Sequence, residues 1–256
     1  MSQDKDTTTD YAAQLTADLW ERIRAQPVTG ARPRRAATLM LIDHIGAEKP
    51  KVLMGRRHDG HKFMPGKFVF PGGRVERSDL AMNVAGMLEP VTEAKLMAAL
   101  GSDSPALARA TALAAIRETF EETGVIVGSQ DYGTPERAPE GPWTRYASAG
   151  VFPVPEELHF VGRAITPPRN KMRFDAFFFA ADISAVAGMV EGVVGPESEL
   201  VELVWVEFAE ALALGLPLIT SVILRELEDR LAKGMSRFLP VPFYRTTRTG
   251  WVRDVL

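Results

Sequence analysis

Residues 117–125 read Arg-Glu-Thr-Phe-Glu-Glu-Thr-Gly-Val, and they place three carboxylates on one face of a predicted helix. Glu118, Glu121 and Glu122 follow the i, i+3, i+4 spacing, so their side chains project from the same side. At about 5 Å and an effective dielectric constant of about 20, each poorly solvated pair repels by about 3 kcal/mol. A hard divalent cation such as Mg²⁺ removes that repulsion and typically bridges protein carboxylates to a substrate phosphate. The stretch therefore indicates a metal site.

The alternative for these glutamates is a solvated helix face, where like charges cost only a few tenths of a kcal/mol. Two features of the sequence favour a built site. Arg117 lies four residues before Glu121 and can brace its carboxylate. Apolar side chains occupy the opposite face at the spacing of a buried seam: Leu113, Ile116 and Phe120. Gly124 ends the predicted helix, so the acidic face belongs to its last turns.

A glycine pair upstream is the second candidate element. Phe70-Pro71-Gly72-Gly73 overlaps the end of the apolar run at 68–70, which indicates a strand. Two glycines let the backbone pass close to a ligand or metal without obstruction by side chains. An ordinary Pro-Gly-Gly turn is the alternative interpretation.

Together the two motifs resemble the Nudix box, G-x5-E-x7-R-E-U-x-E-E-x-G-U, where U is bulky and apolar. The matching residues are Gly73, Arg117, Glu118, Glu121, Glu122, Gly124 and Val125. The chain departs from the pattern in three ways. Asp79 stands where the first glutamate should be, Thr119 occupies the first apolar position, and the spacer between Asp79 and Arg117 is far longer than seven residues. We interpret about 80–104 as an insertion with a helix at 92–100, after which Ser104 caps the glutamate-bearing helix and Pro105 begins it.

The resemblance implies a fold and a metal site. The fold is α/β: the Nudix α/β/α sandwich around a mixed sheet, with a helical insertion inside the Nudix box. Mg²⁺ or Mn²⁺ would be held by Glu118, Glu121, Glu122 and the carbonyl of Gly73. Glu121 and Arg117 are the catalytic candidates within the box.

The general base in such enzymes often lies outside the box, on a later loop. The acidic candidates there are Glu197, Glu199 and Glu202. We choose Glu199, and a solvated turn before a strand is the alternative for all three.

A second pattern bears on the substrate. Leu53-Met54-Gly55-Arg56-Arg57-His58, then Lys62, Gly66 and Phe70-Pro71-Gly72-Gly73, is similar to the coenzyme A diphosphatase pattern L-L-T-x-R-S-x3-R-x3-G-x3-F-P-G-G. Four positions differ from it: Met54, Gly55, His58 and Lys62. The split box and Ile165-Thr166-Pro167-Pro168 resemble the peroxisomal branch of that family.

This second resemblance favours a coenzyme A or acyl-coenzyme A substrate. Arg57, Lys62 and Arg173 are the candidate residues for binding its phosphates. The alternatives are an ADP-ribose or dinucleotide diphosphatase and a non-catalytic Nudix-fold domain that senses a nucleotide. Many relatives are homodimers, which makes a homodimer one expectation.

Bulk properties are those of a soluble enzyme. The chain has 256 residues, 46% of them hydrophobic, which is enough for one sizeable core. The net charge of −3 implies no general attraction to nucleic acid or to an anionic membrane. The absence of cysteine excludes disulfides and thiolate metal sites. No stretch of the sequence has the pattern of a signal peptide or a transmembrane helix, so we expect a cytoplasmic protein.

Hydrophobic periodicity divides the chain into elements. It predicts an N-terminal arm at 1–31 with one helix at 10–25, and a draped or flexible C-terminal tail at 239–256. The resemblance implies that the residues between them, 32–238, form the Nudix hydrolase domain. Strands are predicted at 36–43, 51–57, 158–165, 173–181 and 200–206, and further helices at 208–213 and 217–233.

Overall fold

A mixed sheet with helices on both faces forms the centre of the fold. The computed structural model describes residues 29–44, 49–61, 64–247 and 250–256. The strands in these ranges are β1 (Arg34–Asp43), β2 (Lys51–Arg57), β3 (Phe68–Val69), β4 (Gly72–Arg74), β5 (Val125–Val127), β6 (His159–Ile165), β7 (Phe174–Asp182), β8 (Val186–Met189), β9 (Leu200–Glu207), β10 (Pro242–Thr246) and β11 (Trp251–Val255). The helices are α1 (Arg77–Ala81), α2 (Pro90–Leu100), α3 (Pro105–Thr123), α4 (Pro142–Ala147), α5 (Phe208–Ala213) and α6 (Leu218–Ala232).

Within the described ranges, nine strands pair into one sheet in the order β11-β10-β6-β7-β1-β2-β3. β4 also pairs with β1, and β9 pairs with β2. β1 runs parallel to β7 and antiparallel to β2 and β4, so the sheet is mixed. β5 and β8 form a separate two-stranded sheet.

The central strand β1 is buried on both faces. Leu39 and Leu41 belong to the core that α3 covers, while Met40 and Ile42 belong to the core under α5 and α6. A strand covered on both sides needs a continuous apolar run rather than an alternating one, and 39–42 supplies it. The predicted α/β/α sandwich around a mixed sheet is confirmed.

Helix α3 has the ends that the sequence predicted. The Ser104 side chain accepts a hydrogen bond from the Leu107 N–H, Pro105 is the first helical residue, and Gly124 ends the helix at φ 79°. Thr119, the polar residue at an apolar box position, is fully buried and donates its hydroxyl to the carbonyl of Ala115 at 2.8 Å. Its hydroxyl is therefore satisfied inside the helix.

The insertion is a packed part of the domain. It contains α2, and Leu96 on α2 is completely buried in the core. Lys95 donates to the carbonyls of Arg237 and Leu239, both at 2.6 Å, and ties the insertion to the segment after α6.

The prediction of a draped C-terminal tail is wrong. β10 pairs in parallel with β6, and β11 pairs antiparallel with β10, so both strands extend the main sheet. Tyr244 is buried against the α6 core, and this burial stabilises the pairing. Polar residues between the few apolar ones in this short segment hide the strand pattern, and the tertiary contact with β6 decides the conformation. The helix predicted at 10–25 lies outside the described residues. None of the helices described here is long and apolar enough to cross a membrane.

His159, at the start of β6, makes folding stability dependent on pH. Burial, together with the charges of Arg237 and Arg230, lowers its pKa from 6.5 to about 4. Between these values the unfolded chain binds more protons than the folded one, so stability falls as the pH drops through this window. We expect His159→Gln to flatten the pH dependence of the urea midpoint between about pH 6.5 and 4. A slope equal to that of the wild type would show that the folded protein protonates His159 normally.

Candidate metal-binding and catalytic site

The last turns of α3 lie against the glycine turn at β4. The carboxyl group of Glu118 occupies the space beside Gly73 so closely that a methyl group at Gly73 would overlap it. On the preceding residue, the Gly72 N–H donates to Oε2 of Glu122 at 3.1 Å. Gly73 is therefore required because the Glu118 carboxyl group fills the space beside it, and Gly72 is required because the Ala37 carbonyl oxygen of β1 lies where a side chain would begin. The two motifs, distant in sequence, meet in the fold.

Arg117 donates hydrogen bonds to two of the glutamates, Glu118 and Glu121. Its side chain is only 2% exposed, and its Nη1 donates to Oε1 of Glu118 at 2.9 Å and to Oε1 of Glu121 at 2.6 Å. Nη2 donates to the carbonyl of Arg74 at 2.7 Å. Burial alone would lower the pKa of this guanidinium, but hydrogen bonds to Asp79 and the charge of Glu118 raise it. Arg117 is thus a permanently charged group that orients the acidic face.

Asp79, on α1 just before the insertion, completes this network. It is fully buried, and its two oxygens accept from Nε and Nη2 of Arg117 at 2.8 and 3.2 Å. Oδ1 also accepts from Nε1 of Trp143 at 3.0 Å, and Oδ2 from the N–H of Glu76 at 2.8 Å. Such a bidentate pair fixes the plane of the guanidinium. Despite the long spacer, Asp79 reaches the arginine of the box.

A second group of charges lies at the other side of Glu122. Nη2 of Arg57 is 3.8 Å from Oε1 of Glu122, and its Nη1 donates to Oε1 of Glu199. His61 lies beside them, with Nε2 3.3 Å from the same oxygen of Glu199. β2 and β9 create this arrangement, since Arg57 pairs with Leu200 across the two strands. The structure thus brings Glu199 to the box glutamates through Arg57.

A cleft of about 830 Å³ starts at this charged group. It lies between the sheet and the first turns of α6, and its lining includes Arg57, Gly72 and Gly73 at one end and Tyr244 and Trp251 at the other. The loop between β6 and β7 adds Arg169 and Lys171. A volume of this order is typical of sites that enclose a small organic molecule.

Arg173, a second predicted phosphate-binding residue, lies outside the cleft lining. It donates to the carbonyls of Thr166 and Ala31, at 3.0 and 2.7 Å. These two hydrogen bonds connect the β6–β7 loop to the segment that precedes β1. Lys62 lies outside the described residues.

Burial makes the acidic face costly to charge. Desolvation, with the neighbouring charge of Glu121, raises the pKa of Glu118 to about 7 against the opposing effect of Arg117. Burial raises the pKa of Glu122 well above its usual range, with Glu199 and Glu118 adding to the effect and Arg57 opposing it. Crowded carboxylates in low dielectric gain most from a nearby cation.

Solved structures of known proteins share this fold. The chain is similar to a NUDIX hydrolase from Alicyclobacillus acidocaldarius, with 26% identity over 76% of this chain and 90% of that chain, at a TM-score of 0.54. The chain is a Nudix-type hydrolase. Weaker likenesses are to RenU of M. smegmatis (15% identity, 78% and 87% of the two chains, TM-score 0.39) and to the NUDIX domain of Shewanella oneidensis NrtR, solved with ADP ribose (13%, 82% and 97%, 0.42). No family model matches the chain.

The donor set of this Nudix chain suits a hard divalent cation. Three carboxylates and a backbone carbonyl offer only oxygen, which is the ligand type that Mg²⁺ and Mn²⁺ prefer. Among the described residues, no three acidic or histidine side chains already converge as metal ligands. Arg117 and Arg57 occupy oxygens of these glutamates and balance their charge. The residues therefore fit the ion by the chemistry of their oxygen donors.

Three participants in this Nudix site carried little signal in the sequence. Asp79 was identifiable only as a substitution at an uncertain alignment position, because the insertion removes its spacing to Arg117. Trp143 lies in a short helix that follows a Gly- and Pro-rich loop, and no motif marks it. His61 had the pattern of an ordinary loop histidine, and only the pairing of β2 with β9 places it beside Glu199.

Proposed function

We propose that the chain hydrolyses a diphosphate that links a nucleoside to a second organic group, with Mg²⁺ or Mn²⁺ as cofactor and coenzyme A or an acyl-coenzyme A as the favoured substrate. The observation that carries the proposal is the meeting of Glu118 with Gly73 at the mouth of a cleft that is large enough for both halves of such a substrate. The coenzyme A preference rests on the pattern from Leu53 to Gly73.

In this proposal Glu118, Glu121, Glu122 and the Gly73 carbonyl hold the ion. When bound, the ion supplies charge neutralisation at the diphosphate and activation of water. Arg117 and Asp79 act as positioning residues, since both are buried and their hydrogen bonds are made to each other, to neighbouring side chains and to backbone groups. Their contribution is to keep the carboxylates in one orientation.

Glu199 is the proposed general base. Its side chain is 44% exposed, which gives water access to the carboxylate. Arg57 and His61 both lie at Oε1, so we assign proton acceptance to Oε2. Arg57, which contacts both carboxylates, keeps this base near Glu122.

Arg57 is the proposed phosphate-binding residue of the site. Its side chain is 9% exposed, and among the described residues its Nε is a buried donor without an acceptor. A buried guanidinium donor that lines the cleft offers an anionic oxygen a strong, charge-assisted hydrogen bond. Arg169 and Lys171 place further positive charge along the cleft.

One observation supports the non-catalytic alternative. The arginines already neutralise the glutamates, so a nucleotide-sensing domain could keep this arrangement as a purely structural one. In that case nucleotides would bind in the cleft without being consumed.

A substrate panel tests the function. We expect the purified chain with Mg²⁺ or Mn²⁺ to convert coenzyme A into a phosphopantetheine and an adenosine bisphosphate, measured by product chromatography. The reaction should proceed faster than with ADP-ribose or NADH. Preference for ADP-ribose or NADH would replace the substrate assignment, and no turnover of any diphosphate with metal bound would support the sensing role.

A further inference from the structure

The register of the main sheet builds a row of alanines across the floor of the cleft. Tyr244 on β10 lies opposite Ala164 on β6, Ala164 opposite Ala176 on β7, and Ala176 opposite Ala36 on β1. Ala36 in turn lies opposite Arg74, next to Gly73 on β4. All three alanines and Tyr244 line the cleft. From Tyr244 to Arg74 this row crosses four strand-to-strand steps of about 4.8 Å, roughly 19 Å in all, and the three alanines span two of these steps, roughly 10 Å.

Larger side chains border the row on both sides. Positions two residues away on the same strand share its face, and on β7 these are Phe174 and Phe178, which also line the cleft. The first turns of α6 cover the row with Leu218, Ile219 and Val222. The result is a narrow channel, floored by small residues and covered by apolar ones. We call the space above Ala36, Ala164 and Ala176 the alanine channel.

The far end of the channel has one unused polar group. Within the ranges that the structure describes, the indole N–H of Trp251 is buried and has no hydrogen-bond acceptor, and the residue lines the cleft. A buried donor without a partner carries a desolvation cost that a ligand acceptor would remove.

This end of the channel is held rigidly. The Tyr244 hydroxyl donates to Oε1 of Glu226 at 2.5 Å, and Arg253 donates to both oxygens of Glu226, at 2.8 and 3.2 Å. These bonds fasten β10 and β11 to α6. Trp251 on β11 therefore keeps its place relative to the channel, as a preformed binding site requires.

The charges of the cleft lie away from this channel floor. Arg57 is at the mouth, and Arg169 and Lys171 are in the β6–β7 loop. A phosphate group is therefore favoured at the mouth or beside the loop. An uncharged chain is favoured along the apolar floor, where burial of its apolar surface contributes to binding.

We propose that the alanine channel binds the second organic group of the substrate as an extended, uncharged chain, and that a carbonyl of this chain accepts the Trp251 indole N–H. The proposal rests on the proposed function, because it takes the diphosphate to lie at Gly73. The length of the channel exceeds that of a diphosphate group, so it selects substrates with a long arm rather than a compact sugar.

Binding measured in EDTA, where no hydrolysis occurs, tests the channel by calorimetry. Ala176→Leu should fill the floor and raise the Kd of coenzyme A about tenfold or more, because overpacking of a narrow site is costly. The Kd of ADP, which lacks the long arm, should stay within about threefold. Ala209→Leu, at an exposed position of α5, is the matched control and should change neither Kd.

The Trp251 contact has its own readout in the wild-type protein. The chain has four tryptophans, and ¹⁵N-labelled protein should show one indole signal that coenzyme A shifts and ADP does not. Trp251→Phe should remove that signal and raise the Kd of coenzyme A about fivefold, the effect of losing one hydrogen bond. This measurement stands even if Ala176→Leu fails to fold.

The channel assignment is overturned if wild-type protein does not bind coenzyme A, if Ala176→Leu leaves its Kd unchanged, or if ADP binding weakens equally. Equal weakening would place the nucleobase in the channel. Binding of coenzyme A in the channel without hydrolysis of any diphosphate in Mg²⁺ would leave the channel standing and remove the proposed function. Hydrolysis of coenzyme A by the wild type, with no effect of Ala176→Leu on coenzyme A binding, would support the proposed function and remove the channel assignment.

Discussion

Glu121→Gln should lower kcat by about a thousandfold or more at saturating Mg²⁺. The substitution removes one negative charge from the acidic face while it keeps an oxygen that can accept the Arg117 hydrogen bond. Charge stabilisation by a bound cation contributes several kcal/mol to such reactions, and about 4 kcal/mol corresponds to a factor of a thousand. The Glu121 side chain is 31% exposed, so folding should be largely intact.

Two controls separate a metal effect from a folding effect. Glu136→Gln, the same substitution at an exposed loop position, should leave kcat unchanged. Saturating Mg²⁺ should raise the Tm of the wild type, since a ligand at a hundred times its Kd stabilises by about 2.7 kcal/mol. The rise should be smaller in Glu121→Gln. Near-normal turnover in this variant would exclude Glu121 from the mechanism.

Asp79→Ala should cost about 3–5 kcal/mol of the free energy of unfolding. The substitution leaves the Arg117 guanidinium buried without its bidentate partner and removes the acceptor of the Trp143 N–H. Breaking a buried ion pair at one side is costly because the remaining charge stays desolvated. Urea denaturation followed by circular dichroism measures the loss.

The matched control for Asp79 is an exposed ion pair. Asp254 pairs with Arg245 at 2.6 Å, and both side chains are 43% exposed. Asp254→Ala should cost less than about 1 kcal/mol. If Asp79→Ala does not fold, Asp79→Asn, which preserves the shape, provides the comparison. A loss below about 1 kcal/mol for the buried site would show that Arg117 finds another partner.

Asp79 and Trp143 show why the sequence could not give the whole site. The box glutamates are fixed relative to one another by helical geometry, so their common face follows from spacing alone. Asp79 is separated from Arg117 by an insertion that contains a helix, α2. No local sequence rule predicts how the chain after this insertion is placed relative to Asp79. Trp143 reaches Asp79 from yet another segment. Partners brought together by separate elements are visible only in the folded structure.

The C-terminal strands β10 and β11, which form one end of the cleft, were also not predictable from the sequence. Polar residues interrupt the apolar ones at 242–255, so periodicity alone predicts no strand there. Pairing of β10 with the open edge of β6 decides that these residues join the sheet. The end of the cleft at Tyr244 and Trp251 depends on that pairing.

The sequence by itself determined the elements whose signals are local. It determined the ends of α3, the presence of strand β1, and the gathering of three glutamates on one helix face. These follow from capping, burial and helical spacing, which act over a few residues. Only the tertiary structure decided which carboxylate braces Arg117, that Glu199 lies beside Arg57, and that the last strands complete the cleft. Those arrangements depend on sheet register and long-range packing, which a one-dimensional pattern does not carry.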